Sequence, residues 1–193
     1  VWIGYLQWTR ANGFGITQDP VLRPMEKNFQ CKDAILDWAG AESDERGGHA
    51  APAEPEWPRV DYIVGNPPFL GDKLMRRELR DAYVDVLRRL YRGRVPGGSD
   101  LCCYWFEKAR SNIQIGRAER AGLLATQAIR GGTNRKVLEK IKETGDVFFA
   151  ESDRPWFLDG ANVHVSMVAF DDGLEHVRIL DGKRVERINA NLG

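Results

Sequence analysis

Asn66-Pro67-Pro68-Phe69 places a side-chain amide, a backbone carbonyl and an aromatic ring on backbone with little rotational freedom. Each proline fixes its own φ, and Pro67 also drives Asn66 into extended geometry. Two fixed oxygen acceptors beside a flat ring suit a planar amine on a heteroaromatic base. Such a nitrogen is a poor nucleophile because its lone pair is delocalised into the ring. Acceptors that each take one amine hydrogen favour a pyramidal nitrogen and stabilise the positive charge growing on it. Phe69 would stack on the base, a contact contributing about 1–3 kcal/mol. The same four residues also describe a diproline turn with a core phenylalanine, and the motif by itself leaves both readings open.

Positioning such a tip takes a strand before it. Val60, Tyr62, Ile63 and Val64 make a near-continuous apolar run that predicts a strand buried on both faces, and the prolines end it. After the tip, Met75, Leu79, Tyr83, Leu87 and Leu90 recur at steps of three and four, predicting one amphipathic helix over Lys73–Tyr91. Its other face carries Arg76, Arg77, Arg80, Arg88 and Arg89, suited either to phosphate contact or, with Glu78, Asp81 and Asp85, to a solvated face. From Asp72 to Arg94 there are eight Lys/Arg against four Asp/Glu, whereas the whole chain balances 28 against 28. That balance excludes a wholesale polyanion-binding surface and leaves a local patch.

The remaining segments frame this centre. Trp2, Tyr5, Leu6 and Trp8 read as the end of a helix broken at Asn12-Gly13, and Gly13-Phe14-Gly15 lacks the pattern of a nucleotide loop. Asn28–Leu36 is expected to be a strand leading into Asp33, and Gly40–Trp57 a mobile surface loop. Ser99 or Asp100 caps a helix through about Ile113, in which Tyr104, Trp105 and Phe106 pack. Arg120–Ala128 is a strand, Gly131-Gly132-Thr133 opens a helix closed by Gly145, and Val147–Phe149 and Val163–Phe170 are strands flanking a loop, Arg154–Gly160. Asp181-Gly182 predicts a hairpin over Glu175–Ile188. This order implies an α/β fold, mostly parallel with an antiparallel strand near the end, with sites at the carboxyl ends of the strands, where Asp33 and Asn66 fall. Cys31, Cys102 and Cys103 suit neither a disulfide framework nor zinc, and His49, His164 and His176 add no ligand spacing, so no metal is expected and a reducing cytoplasm is the expected context. No membrane span is visible.

The tip after its apolar strand, the run from Gly65 to Lys73, and Gly97-Gly-Ser-Asp-Leu-Cys-Cys-Tyr-Trp-Phe-Glu-Lys-Ala109 resemble the gamma-class DNA adenine methyltransferases of the MmeI-like type II restriction–modification family. The resemblance runs from about Val1 to Phe170. It implies part of a Rossmann-like, S-adenosylmethionine-dependent methyltransferase sheet, motifs III to VIII, over residues 1–172, with the hairpin of 173–193 starting a following region. It further implies methyl transfer to the exocyclic amine of an adenine flipped out of double-stranded DNA, with Asn66, Pro67, Pro68 and Phe69 as catalytic residues. Asp33 would accept a hydrogen bond from the adenine amine of the cofactor, although a capping or turn aspartate also fits. Trp156 or Phe157 would stack on the opposite face of the target base, and Arg76, Arg77 and Arg80 would meet phosphates. The family's glycine-rich cofactor turn and ribose-binding acid do not precede Asn66 here. The chain is therefore expected to be part of a longer polypeptide with an N-terminal cofactor-binding half, a target-recognition region and, in some relatives, a nuclease. By itself it is expected to bind no cofactor, to leave DNA unmethylated and to aggregate. Methylation of a protein glutamine, or a catalytically silent DNA-binding scaffold, are the other functions the residues admit.

Overall fold

The computed structural model describes residues 2–14, 29–37, 51–158 and 161–193, with no side-chain detail for residues 2–6 and 157–162, and divides into two units, Val1–Lys32 and Asp33–Gly193. In the first, helix α1 (Trp2–Ala11) ends at Gly13, whose φ of 76° needs glycine, and the Trp8 and Phe14 rings stack with centroids 5.2 Å apart.

The second unit runs β1 (Tyr62–Gly65), α2 (Asp72–Leu79), α3 (Asp81–Leu90), α4 (Cys102–Gln114), β2 (Arg120–Thr126), a 3-10 turn over Gln127–Arg130, α5 (Arg135–Thr144), β3 (Asp146–Leu158), β4 (Ala161–Asp171), β5 (Arg178–Leu180) and β6 (Lys183–Val185). The strands form one sheet in the order β1-β2-β4-β3-β5-β6. β1 and β2 are parallel, β4 is antiparallel to both β2 and β3, and β5 is parallel to β3. Strands β1, β2, β3 and β5 therefore point the same way, with β4 and β6 reversed. This is the expected α/β sheet, parallel at its start from β1 to β2, but it has two reversed strands, β4 inside the sheet and β6 at its far edge, where one near the end was expected.

Packing follows from the apolar patterns. Ala121, Leu123 and Ala125 alternate inward along β2. The buried faces of α4 (Tyr104, Phe106, Ile113) and α5 (Val137, Leu138, Ile141) join the same core, and the Phe106 and Phe170 rings stack at 6.1 Å. Burying each such side chain contributes about 1.5–3 kcal/mol. Between α5 and β3, a Cβ placed on Gly145 would lie 2.0 Å from the carbonyl oxygen of Asp171, so only glycine lets the chain turn there.

Several expectations are corrected. The run Val60–Val64 is not buried on both faces: β1 is the edge of the described sheet, with Tyr62 62% and Val64 84% exposed. Residues 29–37 hold no strand leading into Asp33; the chain makes a turn there, followed by an isolated bridge from Asp37 to Ala53. The single helix expected over Lys73–Tyr91 is two, because Arg80 has a φ of 70° and breaks the α-helical backbone. The described end of the expected mobile loop is pinned: Trp57 Nε1 donates to the Ala34 carbonyl at 2.8 Å, and buried Lys108 donates to the Pro55 carbonyl and to Glu54. Arg154–Leu158 continues β3 and is no loop. The Glu175–Ile188 hairpin forms at the expected turn, with Asp181 and Gly182 at φ 49° and 75°, and adds β5 and β6 to the same sheet.

Candidate functional site

β1 delivers its last residue, Gly65, against Leu123, and the chain then leaves the carboxyl end of the strand. Asn66 is exposed, Pro67 buried, and Pro68 and Phe69 exposed, the phenylalanine at 38%. Pro67 thus anchors the tip while the residues around it face solvent. Among the described residues neither the Asn66 amide nor the Pro67 carbonyl has a hydrogen-bond partner, so neither acceptor is already committed. Past the ring the chain is fastened. Leu70 N–H donates to the Pro68 carbonyl at 3.1 Å, and the Leu70 carbonyl accepts from Leu101 N–H at 2.9 Å. Asp72 N–H donates to Asp100 Oδ1 at 3.1 Å, and Arg88 bonds the Asp72 carboxylate.

Asp33 is held by its own turn and by a distant helix. Its Oδ1 accepts from the backbone N–H groups of Ile35 and Leu36 at 2.9 and 3.1 Å, and its Oδ2 accepts from the Tyr83 hydroxyl at 2.6 Å. Burial, and then Asp33 itself, push the Tyr83 phenol well above its ordinary range, so it stays a donor. The carboxylate is exposed and fixed, and Oδ2 retains a lone pair.

The arginines expected at phosphates are exposed but partly paired. Arg76 bonds Asp81 at 2.8 Å and Asp85 at 2.7 Å across the α2–α3 break, which raises its pKa further, and Arg77 bonds Glu78 at 2.8 Å. Arg80 sits at the break, exposed and without a described partner. Exposed pairs of this kind are weak and screened by salt, so a phosphate can displace them.

Trp156, 37% exposed, pairs with Val163, and Phe157 pairs through its backbone with Asn162. Adjacent strand residues point to opposite faces, so only one of the two can face a given base. The same hairpin holds His164 Nδ1 2.5 Å from Asp153 Oδ1, with Arg130 3.7 Å from the other Asp153 oxygen.

Cys102 and Cys103 are buried and Cys31 exposed, all three free. Its hydrogen-bond contact with Cys102, together with burial, pushes the Cys103 thiol up, away from thiolate. Among the described residues, no group of three His, Cys, Asp or Glu could hold a metal, and no helix is long and apolar enough to cross a membrane. His49 lies outside the described residues. Tyr83 is the partner of Asp33 that sequence reasoning missed, since the two lie 50 residues apart.

A family model described as MmeI, DNA-methyltransferase domain, matches residues 17–181. Among solved structures, the type IIL restriction–modification enzyme MmeI in complex with DNA is similar with a TM-score of 0.55 and 21% identity, covering 69% of this chain and 19% of that one. A type I restriction–modification system studied for its assembly and conformational transition is similar with a TM-score of 0.41 and 18% identity, covering 60% and 22%. This chain therefore spans less than a quarter of the length of either. No curated protein matches.

Proposed function

The chain belongs to the MmeI DNA-methyltransferase domain family, and from that premise we propose that it is the target-base half of an adenine-specific, S-adenosylmethionine-dependent DNA methyltransferase of a restriction–modification protein. The observation that carries this reading is the open acceptor pair of Asn66 and Pro67 at the carboxyl end of β1, beside the exposed ring of Phe69.

A base stacked in a duplex cannot reach this tip, so the adenine must be extruded, at a few kcal/mol. Phe69 receives one face of it, and Trp156 or Phe157 the other. The Asn66 amide oxygen and the Pro67 carbonyl each accept one hydrogen of the exocyclic amine and stabilise the charge that develops on nitrogen. Pro68 keeps the spacing between acceptors and ring. S-adenosylmethionine, when bound, supplies an electrophilic methyl carbon on its sulfonium sulfur. Asp33 fits the adenine end of that cofactor, because its carboxylate is exposed, immobilised by three donors and still able to accept an amine hydrogen. Arg76, Arg77 and Arg80 offer bidentate donors to the phosphates flanking the extruded base. A DNA enzyme with free cysteines suits a reducing cytoplasm.

The test is transfer of labelled methyl groups by the full-length protein to duplex DNA, with single-stranded DNA and protein as competing acceptors. Label in the N6 position of adenine supports the reading, and label in cytosine or in glutamine side chains overturns it.

A further inference from the structure

Asp100 and Asn134 stand 34 residues apart and exchange two hydrogen bonds: Asp100 N–H donates to Asn134 Oδ1 at 2.8 Å, and Asn134 Nδ2 donates to Asp100 Oδ2 at 2.7 Å. The remaining oxygen, Asp100 Oδ1, accepts from Asp72 N–H. Asn134 Nδ2 also lies 3.4 Å from the Ala128 carbonyl in the turn after β2, and the Cys103 thiol donates to Asn134 Oδ1 at 3.4 Å. One residue along, Leu101 N–H holds the Leu70 carbonyl. Leu70–Asp72, directly after Phe69, is thus bolted to the start of α4, and through Asn134 to the start of α5 and the exit of β2. Neither side chain belongs to the tip itself. Their chemistry is nonetheless specific: a carboxylate with one oxygen for each of two donors, facing an amide that donates and accepts, fits in one orientation only.

We infer that Asp100 and Asn134 are positioning residues for methyl transfer, holding the segment beyond Phe69 so that the ring and the acceptor pair meet the extruded base in register. The inference rests on the function proposed above. It differs from a role as an ordinary cap of α4, which would stabilise the fold without setting the geometry of the tip.

A reciprocal exchange separates the two. Asp100→Asn sets two amide donors face to face if it keeps its bond to Asp72, and Asn134→Asp opposes two carboxylates. The double exchange, Asp100→Asn with Asn134→Asp, restores a complementary pair at the cost of turning the 3.4 Å contact with the Ala128 carbonyl into two facing acceptors. In the full-length protein, each single variant is expected to slow single-turnover methylation by about a hundredfold, the scale of a misplacement near 1 Å. DNA and cofactor dissociation constants should stay close to wild type, and the double exchange should recover most of the rate. Melting temperatures and exchange of the Asp72 amide hydrogen are recorded alongside. Where Asn134→Asp does not fold, Asn134→Ala removes the partner without opposing charges and should show the same rate loss. Single variants that lose melting temperature but methylate normally below it, or a double exchange as slow as the single variants, overturn the inference. A wild type that transfers no methyl group to DNA removes the underlying function, whereas an active wild type with unimpaired single variants removes the clamp alone.

Discussion

In the proposed reaction Asn66 works through a single oxygen. Asn66→Ala in the full-length protein should leave DNA binding near wild type and lower the methylation rate by about a hundredfold or more, the effect of deleting one preorganised polar group at a charge-developing centre. Steady-state turnover and a DNA-binding isotherm check it, and near-normal turnover would falsify the role of Asn66. In the same proposal Phe69 works through its face. Phe69→Ala should weaken capture of the extruded base by about 1–3 kcal/mol and Phe69→Trp should retain it, as read from a fluorescent base analogue at the target position. Equal signals from both variants and wild type would return Phe69 to a packing role. At this scale the sequence was informative where the constraint is local. The prolines set the tip through their own rings, so its geometry could be argued from four letters. The two amide bonds to Asp33 are equally local, but the Tyr83 hydroxyl that completes its shell comes from 50 residues away, beyond any spacing argument.

Helices were legible where glycine punctuates them and illegible where an ordinary residue does. Gly145 closes α5 as expected. Arg80 ends α2 in a left-handed conformation with no glycine or proline to announce it, and the apolar stripe continues across the break through Tyr83 and Leu87. Helix α4 carries a buried ion pair. Glu107 is 0% exposed and takes both the Nε and the Nη2 hydrogens of Arg110, at 2.7 and 2.9 Å, with Arg94 only at 3.8 Å. Arg110→Met should cost about 3–5 kcal/mol by stranding a buried carboxylate, and Glu107→Leu with Arg110→Met should recover much of that loss. Urea unfolding of the three proteins measures both numbers. A double variant no more stable than Arg110→Met would show that the arginine matters through packing, or through Gln114 and Thr144, which its guanidinium also reaches.

At the scale of the whole molecule, the α/β class was readable from the alternation of elements, but the strand order, the central reversed strand β4 and the edge position of β1 were not. An apolar run reads the same at a centre as at an edge, and only the fold leaves Val64 exposed. One charge cluster ties distant parts together: Asp146 at the start of β3 bonds Lys142 of α5 and Arg178 of β5, the latter at 2.7–2.8 Å. Burial works to raise the Asp146 pKa, but the bonds from Lys142 and Arg178 outweigh it and hold the folded value below the ordinary one. The stabilisation is therefore fully present above the unfolded value, near pH 4, and is lost as pH falls through the depressed folded value. Asp146→Asn should be less stable than wild type at pH 7, with the gap closing on acidification. Denaturant midpoints at pH 7 and about pH 3 decide it, and a constant gap would contradict the assignment.

The long β3–β4 pair carries a further consequence. β2 accompanies β4 only as far as Val165, and β5 accompanies β3 only at Phe149 and Ala150, so the outer described residues, Pro155–Leu158 and Ala161–His164, pair only with each other. That two-stranded arm bears Trp156 and Phe157, one of which is proposed to close over the base. In the proposed reaction, changes confined to this arm would then alter how long the extruded base is held without touching the residues that bind its amine.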